Sequence, residues 1–125
     1  LHRTIFLEQS MAQSSEPKRP RLDTFIYQPI PKDVINVQVN SSVEKIHDNA
    51  FYRCLQLERV TVRYVELSQG PEKIGFSAFN GCKSLMNMEL PKGLVTIGAR
   101  AFKDCNSLPA VVIPPLVKKI PRGVL

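Results

Sequence analysis

Ile74-Gly75-Phe76-Ser77-Ala78-Phe79-Asn80-Gly81-Cys82 decides the fold, because the chain states it three times. Ile46-His47-Asp48-Asn49-Ala50-Phe51-Tyr52-Arg53-Cys54 and Ile97-Gly98-Ala99-Arg100-Ala101-Phe102-Lys103-Asp104-Cys105 repeat its Ile, Ala-Phe and Cys at identical offsets. The Ile recurs at 46, 74, 97 and 120, with spacings of 28, 23 and 23 residues. A period in the twenties is the mark of a chain built from one small unit stacked on copies of itself.

The other half of the unit lies between each Cys and the next Ile. Counting back from Ile by twelve, nine and seven residues gives Leu85, Met88 and Leu90, then Leu108, Val111 and Ile113, and before Ile46 gives Val34, Val37 and Val39. Before Ile74 the same offsets give Val62, Val65 and Leu67. Leu57 and Val60 offer a competing register there, and an insertion or bulge at residues 58–64 absorbs the five extra residues. The pattern ends in strand-like alternation followed by turn formers, Pro91-Lys92-Gly93 and Pro114-Pro115. A unit with one apolar edge cannot bury it alone, so the strands are expected to stack in parallel at about 4.8 Å, with Ile, Ala, Phe and strand Leu/Val ladders inside. Gly75 and Gly98 are read as permitting a tight backbone path. His47 stands at their position in the first unit, which departs from the pattern.

These residues carry a resemblance. Cys-x-x-Leu-x-x-apolar-x-apolar-Pro, then apolar-x-x-Ile-Gly-x-x-Ala-Phe-x-x-Cys, resembles the BspA-type leucine-rich repeat over residues 34–125. The expected fold is a repeat solenoid of leucine-rich-repeat coils with a short parallel β-sheet and irregular or short helical turns. The resemblance implies a curved, right-handed solenoid used for binding, without implying a reaction or a particular ligand. Departures are Pro109 and Ala110 in the last strand, Pro121 where Gly is expected, and Val124-Leu125 where Ala-Phe is expected. Read this way the chain stops in mid-coil, so self-association through an open C-terminal end is expected. A first residue that is Leu, with the first Met at Met11, agrees with a piece of a longer parent or a start at Met11.

No repeat register reaches the N-terminal segment. Residues 1–33 read as mostly disordered, with 24–33, through Phe25, Ile26, Tyr27 and Ile30, folding back as a cap over the stack. The opening apolar run, Ile5-Phe6-Leu7, is too short for a secretory signal, and no apolar stretch is long enough to span a bilayer.

Function is sought on the surface. Outward strand positions are Asn36, Gln38, Tyr64, Glu66, Asn87, Glu89, Ala110 and Val112. The set is neutral to acidic with one aromatic, which suits a protein or peptide better than phosphate, although a merely solvated sheet has the same composition. The alternative is a nucleic-acid-associated nuclear protein. It draws on the net charge of +6 and on Lys18, Arg19 and Arg21 in Pro17-Lys18-Arg19-Pro20-Arg21, which reads as a nuclear-import signal, an anion-binding arm or a plain solvated tail. Most of the basic surplus is interleaved with acids such as Glu44, Glu66, Glu72 and Glu89, as on an ordinary mixed surface. Lys45, Lys73 and Lys119 recur just before the buried Ile and form either an ordinary edge, offset by Glu44 and Glu72, or an anion-binding stripe.

Cys54, Cys82 and Cys105 share one repeat position and contain no Cys-x-x-Cys, so they read as buried structural thiols rather than a disulfide framework or a metal site. An odd, unpaired set fits a reducing, intracellular compartment, cytoplasmic or nuclear. With two histidines and scattered carboxylates, no catalytic constellation, cofactor or membrane partner is expected.

Overall fold

The computed structural model describes residues 4–7, 30–64 and 69–125. Among these, the regular elements are short strands: β1 (Thr4–Leu7), β2 (Asn36–Asn40), β3 (Lys45–Ile46), β4 (Arg59–Arg63), β5 (Lys73–Ile74), β6 (Asn87–Met88) and β7 (Thr96–Ile97). They form two parallel sheets, ordered β1-β2-β4-β6 and β3-β5-β7. Parallel neighbours require a long crossover, and here one complete coil provides it. The chain is a repeat solenoid whose turns are irregular rather than helical among the described residues.

Each ladder puts like residues in contact. Val37 pairs with Val60, Val60 with Met88 and Val39 with Val62. In the second sheet Ile46, Ile74 and Ile97 are in register. Strand side chains alternate between faces, so these residues point inward and are buried or nearly so, while Asn36, Gln38, Arg59 and Thr61 point outward. Between the sheets lie Leu57 and Leu85 at one repeat position, Val43, Pro71 and Leu94 at another, and Phe51, Phe79 and Phe102 at a third, all buried. The Phe rings stack face to face, with centroids 5.0 and 5.5 Å apart and planes within 5° and 3° of parallel. Each such side chain, fully buried, contributes about 1.5–3 kcal/mol of hydrophobic stabilisation.

The segment from Ile to Cys spends its backbone polar groups in two directions. Alternate amides close turns within the coil: Ala50 N–H donates to His47 O (3.2 Å), Tyr52 to Asn49 (3.2 Å) and Cys54 to Phe51 (3.1 Å). The amides between them reach the next coil, Asn49 to Phe76 O (2.9 Å), Phe51 to Ala78 O (2.7 Å) and Arg53 to Asn80 O (2.8 Å). A buried backbone without helix or sheet is thereby satisfied. Turning this sharply places two residues per coil in the left-handed region: Asn49, Ser77, Arg100 and Gly123 at one corner, and Arg53, Gly81 and Asp104 at the other. Gly, Asn and Asp suit that conformation, whereas Arg53 and Arg100 adopt it at a steric cost.

Gly75 and Gly98 permit the tight path through the close approach of two coils. A Cβ on Gly75 would lie 2.5 Å from Asp48 N, and one on Gly98 would lie 2.5 Å from Phe76 N. The missing side chain lets one coil sit directly on the backbone of the coil before it. His47 stands at this position in the first full coil, where it is buried, and its turn closes as that of Gly75 does: Ala50 N–H donates to His47 O and Ala78 N–H to Gly75 O, each at 3.2 Å.

Three expectations are corrected. β4 is Arg59–Arg63, so the competing register of Leu57, Val60 and Val62 is the one formed, and the extra residues follow the strand instead of preceding it. The constant distance is forward from Cys: Leu57, Val60 and Val62 follow Cys54 as Leu85, Met88 and Leu90 follow Cys82. A strand is tied to the turn it leaves, and the loop after it absorbs length variation. Secondly, the register does reach the N-terminal segment, because Ile5 pairs with Val37 and Leu7 with Val39. Of the expected cap, Ile30 packs against the core, while residues 24–29 lie outside the described ones. Thirdly, residues 110–113 do not form the strand anticipated there, and the fourth strand of the larger sheet is β1.

Candidate partner-binding face

The outward face of the larger sheet is built in rows by the parallel register. One row is Thr4, Asn36, Arg59 and Asn87, the next is Phe6, Gln38 and Thr61, and a third pairs Asn40 with Arg63. Phe6 is 56% exposed although it is a large apolar side chain in a strand. Asn36 Nδ2 lies 3.5 Å from Thr4 Oγ1, a marginal contact along the first row. Asn40 Oδ1 accepts from Ser42 N–H at 2.9 Å and so caps the end of β2.

Of the outward residues read from the sequence, Asn36, Gln38 and Asn87 are on this face, and Glu89 adjoins it directly after β6. Glu89 is already engaged: its Oε1 accepts from Val62 N–H at 2.9 Å, beside β4 where the two-residue β6 has ended. Tyr64 lies past the end of β4 and serves the neighbouring coil. Its hydroxyl accepts from Lys92 N–H at 3.0 Å, and Lys92 Nζ sits 4.8 Å from its ring centroid, a cation–π contact. Val112 is 87% exposed but outside any strand, and Ala110 is exposed likewise. Glu66, Lys18, Arg19 and Arg21 lie outside the described residues.

The corrected register adds Arg59, Thr61 and Arg63, and β1 adds Thr4 and Phe6. The first three were readable by counting from Cys54. The last two carried no repeat signal beyond the alternation in Thr4-Ile5-Phe6-Leu7. The face is consequently neutral to basic among the described residues, instead of neutral to acidic.

Elsewhere the coils hold their polar groups for structure. Cys82 Sγ donates to Phe51 O and Cys105 Sγ to Phe79 O, each at 3.1 Å, so two thiols join one coil to the preceding one. All three cysteines are free. Burial raises the pKa of each: Cys54 is raised, Cys82 is raised much further with help from the neighbouring thiols, and Cys105 is pushed up to about 11. The reactive thiolate is therefore scarce at neutral pH. Lys45 and Lys73 are neighbours on β3 and β5, but the third member of that row is Thr96, and Lys119 falls beyond the sheet. Asp48 Oδ1 accepts from Phe76 N–H at 2.9 Å. Among the described residues no group of three His, Cys, Asp or Glu side chains is placed to hold a metal ion, and no helix is long and apolar enough to cross a membrane.

Residues 61–125 match the family described as "BspA type Leucine rich repeat region (6 copies)". Among solved structures, the chain is similar to a leucine-rich repeat protein of T. pallidum, with 34% identity and a TM-score of 0.60 over 67% of this chain and 39% of that one. It is also similar to a leucine-rich cell surface protein of Faecalibacterium prausnitzii A2-165, with 36% identity and a TM-score of 0.60 over 67% of this chain and 22% of that one. The chain thus spans less than half the length of either. No curated protein matches it.

Proposed function

The chain belongs to the BspA-type leucine-rich repeat family, and we propose on that basis that it is a non-catalytic interaction module binding a protein or peptide segment on the outward face of the β1-β2-β4-β6 sheet. The carrying observation is the division of labour along each strand. Inward residues fill the core, whereas Gln38, Thr61 and Asn87 alternate with them on the outward side of the paired strands. Side chains held at fixed strand spacing are pre-organised, which lowers the entropy lost on binding.

Size narrows the ligand. Four strands at about 4.8 Å, each showing a few residues at about 3.3 Å rise, offer a face of about 200 Å², against roughly 800 Å² per partner in a standard protein interface. A short extended segment fits this area, and a folded partner would draw on the coil edges as well. The test is selection of a random peptide library on the chain, followed by amide shift mapping of the selected peptides. Shifts centred on Gln38, Thr61 and Asn87, and binding lost in Thr61→Trp with an unchanged melting curve, are expected. Shifts confined to the turns, or binding indifferent to Thr61→Trp, would reject this face.

A further inference from the structure

We infer that Arg59 and Arg63 form a paired carboxylate reader, and that the segment bound on this face is an extended acidic peptide with acids four residues apart. The inference rests on the interaction face proposed above and adds the chemistry of its ligand.

Arg59 and Arg63 are the first and last residues of β4, which lies between β2 and β6. Side chains at even separation along a strand share a face, so both guanidinium groups leave the sheet on the side of Thr61. Both residues are exposed. Neither side chain enters an ion pair or hydrogen bond with a described residue, although their backbones are engaged: Arg59 N–H donates to Ile35 O, and Arg63 O accepts from Ser41 N–H. Glu58 directly precedes Arg59, and Glu89, which follows β6 on the neighbouring coil, has its Oε1 bound to Val62 N–H. Asn36 and Asn87 flank Arg59 in its row, and Asn40 neighbours Arg63. Among the described residues the face therefore offers two unpaired cations flanked in their rows by neutral amides, with the nearby Glu89 carboxylate tied through Oε1 to a backbone amide.

The spacing selects the ligand's form. Four residues of strand separate the two Cα atoms by about 13 Å, and an extended peptide lying along β4 separates residues i and i+4 by the same distance. A helical peptide compresses that step to about 6 Å and cannot engage both. Guanidinium groups take carboxylates in two parallel hydrogen bonds, which rewards an extended Glu-x-x-x-Glu segment over one with adjacent acids. The central side chain of such a segment faces Thr61, with Gln38 and then Phe6 farther along the same row. Two cations across about 13 Å also give a nucleic acid little to hold, since phosphate-driven affinity grows with the number of phosphates neutralised.

The test measures binding of the peptide acetyl-Glu-Val-Thr-Val-Glu-amide to the full chain at low and physiological salt, beside its Gln-for-Glu counterpart, a version with adjacent acids and an oligothymidylate. Expected are saturable, salt-weakened binding of the first peptide, a three- to fivefold loss in each of Arg59→Gln and Arg63→Gln, and about tenfold or more in the double variant, in keeping with exposed ion pairs. Arg59→Lys should recover only part of the loss, because it keeps the charge and loses the fork. Equal binding by the double variant, equal binding of the adjacent-acid peptide, or tighter arginine-dependent binding of oligothymidylate would each overturn the inference. Neutral library peptides that are lost in Thr61→Trp and retained in the double arginine variant would overturn it while leaving the interaction face standing. Failure of every ligand to respond to either substitution would remove both.

Discussion

The coils through residue 105 and the segment 108–125 carry one side-chain pattern and reach different ends. In the earlier coils two amides converge on one carbonyl at each sheet entrance: Met86 N–H and Asn87 N–H both donate to Glu58 O, at 3.0 and 3.1 Å. At the second sheet Gly75 N–H donates to Ile46 O at 2.8 Å and Gly98 N–H to Ile74 O at 2.7 Å. The equivalent residues of the last segment are Pro109 and Pro121, which have no N–H to give. Pro121 also places ring atoms where Gly98 has no Cβ. The apolar pattern alone still acts: Leu108 and Val117 pack against the core, and Val124 is buried in the Ala position, where its carbonyl accepts from Phe102 N–H at 2.8 Å. The sheets nevertheless stop: among the described residues no strand is formed after β7. Side-chain ladders persist where the sheets stop, and the two backbone donors are what the last segment lacks.

The largest expected effect breaks the laddered region from inside. Phe79 is fully buried between two parallel rings, so Phe79→Ala should cost about 3–5 kcal/mol, comparable to a small domain's whole stability. Denaturant melts check it, and Leu125→Ala, at an exposed Phe-equivalent position, should cost far less. Gly98→Ala comes next. Its Cβ would meet backbone atoms of Gly75 and Phe76 that cannot step aside, so a loss of about 1–3 kcal/mol is expected from forcing two coils apart. His47→Ala, which removes side-chain atoms at the same position, should not reproduce that steric effect, and hydrogen exchange of the residue-98 amide should rise only in the Gly98→Ala variant.

The converse change restores donors. Pro109→Met together with Pro121→Gly copies Met86 and Gly98 and should gain about 1–2 kcal/mol, since each hydrogen bond contributes about 0.5–1.5 kcal/mol net. New amide protection at Ala110 is the direct readout, and its absence would mean that something other than the missing donors ends the sheets.

The smallest effect in stability distinguishes the thiols. Cys54 and Cys82 are enclosed by coils, whereas Cys105, half-buried at the border of the last segment, should be labelled first by a thiol reagent in the native state. Burial raises each thiol pKa in the folded chain above its ordinary value of 9.0. The unfolded chain therefore releases these protons first, and the stability they contribute, fully present below pH 9, should decline as pH rises toward 11, where Cys105 ionises in the folded chain. A melting temperature unchanged across that interval in the wild type, or an equal decline in a Cys105→Ala variant and the wild type, would separate burial at Cys105 from the response.

How far the sequence could be read depends on which interaction places each residue. The solenoid, its inward ladders of Ile, Ala, Phe and Leu, and the outward placement of Asn36, Gln38 and Asn87 follow from periodicity, because alternation and stacking are properties of the repeated pattern itself. Local connectivity also places β4, since Cys54 and its strand are separated by one short turn. Measuring from the next Ile instead crosses a loop of variable length, which is how Tyr64 and Glu66 came to stand where Arg59, Thr61 and Arg63 belong.

The tertiary structure alone decided what depends on partners far along the chain. Thr4–Leu7 became a strand because the edge of β2 offered unpaired backbone groups in register, an opportunity that no residue near position 5 announces. Glu89 left the set of unspent face residues because the amide of Val62 lies 2.9 Å away across the sheet. Gly75 and Gly98 owe their identity to the backbone of another coil rather than to their own dihedral angles. In each case the deciding atom belongs to a residue more than twenty positions distant, and a one-dimensional pattern records such neighbours only when they too repeat.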